Sequence, residues 1–421
     1  MSSCSRPILW PKCLADIHLE EDEKETLDQK IRIFASRKEQ NLWDLGDKDF
    51  SLSKAPSMCE SLPRRVVFSG DRIFVMLNNR GGMPNFYEDG YRSHKIQYVW
   101  ECYSGALWLK KRLYTPVELD PLKALASSPA VGFSELGLPG LAVDPTGKSM
   151  FDGRGKSKLR YFEKMAPCTL TQGLEKFGRT LHVKCLLGLI DAVRKIHLQK
   201  GEADGYSAYY IKIGHLRLSS NLSYTLFHGN ISPDNILCEE FIDETTGETY
   251  PRLILSGFSR LGNLHVLNAR KWGWNSPEYI YQSVSKEYYK RHDSSFSADY
   301  GAKRDTWALG LLLAYFFLGR YEDQCLPNFN FLASKLTFDE SGKYIVDESR
   351  LAEITQKEID LEIDRIIKGL PSEELKVVWE FIRGCLVVDP DLRPTIAQHY
   401  LKLEDLPSLN FRMHFTVGGA L

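Results

Sequence analysis

The chain has 421 residues, 43% of them apolar and 12% aromatic, enough apolar material for two or three lobes with cores of their own. Fifty-four basic side chains stand against 55 acidic ones, and the formal charge of −1 excludes attraction to nucleic acid or an anionic membrane by bulk charge. The nine cysteines (4, 13, 59, 102, 168, 185, 238, 325 and 385) are scattered singly, without the spacing of a zinc site, and an odd, dispersed set fits reduced thiols in a reducing, cytoplasmic compartment.

Residues 1–63 read as an N-terminal extension. The first residues, Met1 to Pro7, lack the charged start and apolar run of a signal peptide. Glu20 to Asn41 is rich in charge, with Leu27, Ile31 and Phe34 at helical spacing, and predicts an amphipathic helix that is either a strut or a partner-docking element. Ser51 to Pro63 has the composition of a linker. From Arg64 the pattern becomes that of strands. Val66-Val67-Phe68 and Ile73 to Leu77 flank Gly70-Asp71, and Ile96 to Tyr103 and Ala106 to Leu113 bracket Ser104-Gly105 as a hairpin. After a proline-interrupted stretch, Lys158 to Glu163 returns to strand. Beyond Cys168 the chain turns mainly helical. Leu181 to Leu198 sets Leu186, Leu187, Ile190, Val193 and Ile196 on overlapping faces. The apolar run Trp307 to Leu318 falls short of the roughly 20 residues that cross a bilayer and is expected to be a core helix. The expected class is α+β, with a small antiparallel β-rich lobe over 64–168 and a larger helical lobe over 169–421.

Several segments carry chemistry or its remains, and their order matters more than any one of them. They are Ala192 to His197 at the end of the core helix, His228-Gly229-Asn230-Ile231-Ser232-Pro233-Asp234-Asn235, Leu255-Ser256-Gly257-Phe258, Ser276-Pro277-Glu278, Asp305-Thr306-Trp307-Ala308-Leu309-Gly310, and Cys385 to Thr395. Together they resemble a protein kinase, over roughly residues 180 to 400, and a catalytically degenerate one, a pseudokinase. In that family the catalytic loop runs His-Arg-Asp-Leu, three variable positions, then Asn, and an Asp-Phe-Gly motif holds magnesium. The resemblance implies a bilobal fold, a buried ion pair between Glu278 and Arg393, and an Asp305 that accepts backbone hydrogen bonds from the loop at His228.

What the resemblance implies about activity is mostly loss. Asn230 stands where the general base belongs, Ser232 where a lysine stabilises the transferring phosphoryl group, and Ser256 where the metal-binding Asp belongs. Gly229 removes the Arg that pairs with a phosphorylated activation segment in many kinases. Asp234 is either a substitute metal ligand or a solvated loop-end carboxylate. Lys110 is assigned the nucleotide-contacting position in Ala106-Leu107-Trp108-Leu109-Lys110, with Lys111 on the opposite strand face as the alternative. Lys110 and Asn235 thus mark a vestigial nucleotide and magnesium site. Glu118 and Glu135 are the candidates for the glutamate that partners Lys110, and Gly81, Gly82 and Gly90 do not reproduce a phosphate-covering glycine loop. No functional catalytic residue, metal or cofactor is expected.

Two further stretches point to binding. The chain supplies Gly201 to Thr225 where the family has few residues, which predicts an inserted hairpin over about 201–225 carrying Tyr206, Tyr209 and Tyr210; these rings serve an interface or pack the hairpin down. Phe329 and Phe331 lie in an expanded region, 320–350, where large lobes of the family dock partners. The expected function is a protein-binding scaffold or regulator whose partner is a protein, such as a kinase or its substrate. The competing expectation is a weak ATP-dependent transferase using Lys110 and Asn235.

Overall fold

The structure, a computed structural model, describes residues 9, 25, 29, 50–51, 65–69, 72–76, 97–112, 125, 136–137, 160–166, 168–170, 173, 180–203, 222–242, 247, 249–262, 273–284, 298–319, 326–338, 340, 344–400 and 412–414. The predicted helix at Glu20 to Asn41 lies outside them apart from Glu25 and Gln29, both helical, and so does the linker apart from Ser51. The chain forms two compact units, Met1–Pro129 with Ser134–Ala166, and Ala130–Phe133 with Pro167–Leu421.

The first unit holds one seven-stranded sheet. Its strands are β1 (Phe50–Ser51), β2 (Arg65–Ser69), β3 (Arg72–Met76), β4 (Gln97–Glu101), β5 (Leu107–Arg112), β6 (Leu136–Gly137) and β7 (Arg160–Lys164), in the order β1-β2-β3-β4-β5-β7-β6. Every pairing is antiparallel. The β4–β5 turn forms where the sequence placed it, because Gly105 adopts φ 65°, a conformation that costs glycine least. The Glu101 carboxylate accepts from the backbone of Tyr103 at 3.1 Å and Ser104 at 2.7 Å, holding the turn's N–H groups. Trp100, Cys102, Leu107, Trp108 and Leu109 are buried around it, and the Trp100 indole donates to Leu9 O at 2.8 Å.

In the second unit, β8 (Cys168–Thr169) is followed by β9 (Thr180–His182) and α1 (Val183–His197). Next come the pair β10 (Lys200–Ala203) and β11 (Leu222–Thr225), then β12 (Ile236–Ile242) and β13 (Thr249–Leu255). A three-stranded sheet has the order β13-β12-β8. The helices α2 (Pro277–Val284), α3 (Tyr300–Leu318), α4 (Gln356–Lys368) and α5 (Glu373–Cys385) follow, with the strand pair β14 (Leu336–Phe338) and β15 (Tyr344–Val346) before α4, and β16 (Arg412–His414) returns to pair with β9.

The core of this unit is α3, which is buried from Tyr300 to Phe316 except at Lys303. From Trp307 onward it is apolar on all sides, as a helix surrounded by protein must be, and no helix among the described residues is long and apolar enough to cross a membrane. Two glycines let neighbours approach it: a Cβ at Gly301 would lie 2.1 Å from the Phe227 ring, and one at Gly310 would lie 2.7 Å from Cys385 Cβ.

Candidate functional site

The loop that begins at Leu226 is anchored at its start from two segments. Leu226 donates to Gln199 O at 2.9 Å, Gly262 donates to Phe227 O at 2.8 Å, and both loop side chains are buried. The next two backbone N–H groups, of His228 and Gly229, both point at the carboxylate of Asp305 on α3. His228 N donates to Oδ2, and Gly229 N to Oδ1 at 2.9 Å. Charge-assisted bonds of this kind are about twice as strong as neutral ones, so α3 holds the loop by its backbone whatever side chains the loop carries.

The His228 ring is fully buried, with Nε2 2.9 Å from Ser256 O and its face edge-on to Phe258 at 5.1 Å. This ties the loop to the segment after β13. The two segments join again at Asn235, whose carbonyl accepts from Ser256 N at 2.9 Å and Ser256 Oγ at 3.0 Å. The Asn235 amide donates back to Asn230 O at 2.6 Å, closing the loop on itself.

Gly229 and Gly257 have φ of 73° and 84°. A Cβ at Gly257 would lie 2.5 Å from Asn235 Oδ1, and one at Gly229 would lie 3.0 Å from Arg260 O. Sequence reasoning treated Gly229 only as a lost arginine; the structure shows a left-handed backbone position in which that side chain would be strained. It also missed His197. The Nδ1 of this residue accepts from Ile396 N at 3.2 Å while Nε2 faces Asp305 Oδ2 at 3.5 Å, so the end of α1 backs the carboxylate that holds the loop.

Glu278 and Arg393 meet in a two-pronged pair, Nη1 to Oε1 at 2.9 Å and Nη2 to Oε2 at 3.1 Å. Arg393 also donates to the carbonyls of Val387, Val388 and Lys303, at 2.6, 3.0 and 3.3 Å. All five guanidinium N–H groups thereby have acceptors, the condition under which a buried charge is tolerated.

The residues around the loop do not fit magnesium-nucleotide chemistry. Magnesium takes hard oxygen ligands and usually one or two carboxylates. Asn230, Ser232, Asn235 and Ser256 supply amides and hydroxyls, Asp234 is exposed, and both Asp305 oxygens accept N–H groups. In the other unit, Lys110 pairs by its backbone with Gln97 and Phe162 on β4 and β7. Its side chain lies outside the description, as do Gly81, Gly82, Gly90, Glu118 and Glu135.

The interface candidates divide. Tyr206, Tyr209 and Tyr210 lie outside the described residues, on the segment joining β10 to β11, whose register runs from Lys200↔Thr225 to Ala203↔Leu222. Phe329 and Phe331 are a correction. Both are buried, at 0% and 5% exposure, and their rings stack at 4.7 Å with Phe329 edge-on to Trp379 of α5. Their burial outweighs any surface role because two aromatic side chains gain more from a shared core than from water.

No protein-family model matches the chain, and no curated protein matches it. Among solved structures, the chain is similar to the Rad53 kinase domain with SCD2, at 12% identity and a TM-score of 0.38 over 76% of this chain and 89% of that one. A complex of the same kinase domain with AMPPNP gives 15% identity and a TM-score of 0.36 over 77% and 93%. Superposition this loose leaves the weight of any functional reading on the side-chain geometry.

Proposed function

We propose that this chain is a protein-kinase-like scaffold or regulator that binds a protein partner and does not carry out efficient phosphotransfer. The observation that supports this reading is the hydrogen-bonded frame of the loop: Asp305 holds the backbone at His228 and Gly229, while Asn230, Ser232 and Ser256 bring no charge. An amide at 230 orients a hydroxyl but takes no proton, and general-base assistance contributes about 10²–10⁴ in rate. The frame serves the fold, and the missing charges remove the reaction.

The test is a thermal-shift titration of the full chain with Mg-ATP beside recovery of a stoichiometric protein partner from its native setting. A ligand at 100 times its Kd raises stability by about 2.7 kcal/mol, so a site of use to the protein is easily seen. The expected result is no nucleotide shift. A shift that Lys110→Ala abolishes would overturn the reading. Restoring carboxylates with Asn230→Asp and Ser256→Asp together is expected to leave phosphate transfer to a protein substrate undetected, because the Asn235 amide stays turned to Asn230 O and the position of the lysine at 232 remains uncharged.

A further inference from the structure

Among its described residues the second unit has two buried arginines, and the fold treats them differently. Arg393 has an acceptor for every N–H. Arg304, on α3 beside Asp305, is 9% exposed, yet its Nε is buried without a partner and its one hydrogen bond among the described residues is Nη2 to Asn275 Oδ1, at the long distance of 3.5 Å. Its guanidinium carbon lies over the Tyr279 ring, 3.3 Å from the centroid, a cation–π contact that supplies no hydrogen-bond acceptor in the ring plane. No acidic side chain among the described residues pairs with it.

Arg304 lines a solvent-open pocket together with Arg260, Ser276, Asn275, Gly229 and Asn230. Ser276 is fully buried and its Oγ also lacks a partner. Arg304 and Ser276 therefore bring buried donor atoms without partners to one concavity, and Arg260 adds a second cationic residue to its lining. Asp305 is the one acidic residue in the lining, and both of its oxygens already accept backbone N–H groups. Buried donors without acceptors cost free energy unless something supplies the acceptors, and planar guanidinium forks match the oxygens of phosphate.

We propose that this pocket is an oxyanion site that takes a phosphate group, with Arg304 as the central donor and Ser276 and Arg260 completing the cradle. Three or four acceptor oxygens and a double negative charge suit this donor set better than the two oxygens of a carboxylate. The phosphate is either free in solution or carried on a phosphorylated side chain, and the chemistry of recognition is the same. The site uses neither Lys110 nor Asn235, the residues of the competing transferase reading.

The test is isothermal titration of the full chain with inorganic phosphate, O-phosphoserine and acetate at constant ionic strength. One-to-one, saturable binding of phosphate or phosphoserine is expected, with acetate weaker by about tenfold or more. Tighter phosphate binding assigns the free ion, and tighter phosphoserine binding assigns the phosphorylated side chain. Arg304→Met is expected to weaken binding by at least about tenfold, and Ser276→Ala by a smaller factor. Melting without ligand shows whether Arg304→Met folds; if it does not, Arg304→Lys, which keeps the charge and loses the fork, takes its place beside Ser276→Ala. No saturable binding, acetate as tight as phosphate, or unchanged affinity in these variants would each overturn the proposal. A nucleotide shift lost in Arg304→Met but kept in Lys110→Ala belongs to this pocket and not to the site assigned to Lys110, which separates failure of the two readings.

Discussion

Arg393 illustrates what one side chain does when its surroundings are complete. It is 1% exposed and Glu278 7%, so neither charge is hydrated and each depends on the other. Removing one partner leaves an uncompensated buried charge, which costs about 3–5 kcal/mol. Glu278→Ala is therefore expected to lower the unfolding free energy by that amount, read as a lower urea midpoint at unchanged slope in equilibrium unfolding followed by far-UV circular dichroism. At Gly257 the argument is steric. With φ at 84° and Asn235 Oδ1 2.5 Å from where a Cβ would sit, Gly257→Ala strains the backbone and pushes Asn235 off Asn230. Destabilisation of about 1–3 kcal/mol is expected, read as a lower melting temperature.

At the scale of elements, helix ends and helix contacts behave differently. The first turn of α4 is closed by a capping box, in which Thr355 accepts from Glu358 N at 3.3 Å and Glu358 accepts from Thr355 N at 2.8 Å. Thr355→Ala is expected to cost about 1 kcal/mol by thermal denaturation, the ordinary value for a lost cap. On α3 the same kind of change has another cause. An exposed helical glycine gains stability on becoming alanine, but Gly301 faces the Phe227 ring at 2.1 Å from its would-be Cβ. Gly301→Ala is expected to destabilise by about 1–3 kcal/mol through overpacking and to displace the entrance to the 228–235 loop. The Thr-x-x-Glu cap is visible in four consecutive residues. The contact of Gly301 with Phe227 is not, because the two are brought together only when α3 is buried.

For the molecule as a whole, pH tests the burial of its thiols. Cys238 on β12 lies opposite Cys168 on β8, and burial first, then the neighbouring Cys168 and Cys185, push its pKa well above the usual thiol range. A thiol whose folded pKa is raised stays neutral in the folded state while the unfolded chain ionises near its ordinary pKa of about 8.5. Its contribution to stability is present below that pKa and is lost as pH rises through and beyond it, at up to about 1.4 kcal/mol per pH unit. Unfolding free energy measured from pH 8 to 10 should fall with that slope, and Cys238→Ala should flatten it. The scatter of single cysteines suggested reduced thiols, but their meeting across β8, α1 and β12 comes from the sheet.

The sequence alone determined the strand pattern around Gly105, the mainly helical character beyond Cys168 and the core helix at Trp307 to Leu318. These are local matters of residue type and spacing, whereas the kept frame and missing charges of 228–235 were legible only against the family resemblance. The tertiary structure decided which groups meet. Glu278 and Arg393 are 115 residues apart in the chain and are joined by two hydrogen bonds, a pairing that only the family resemblance had implied. Phe329 and Phe331 had the composition of an interface and became core, because Trp379 arrives from α5 to cover them. Arg304, passed over beside the marked segment that begins at Asp305, is set apart from Arg393 by the acceptors the fold supplies. Spacing along a chain specifies faces and periods, whereas the satisfaction of a buried charge depends on atoms delivered from distant segments.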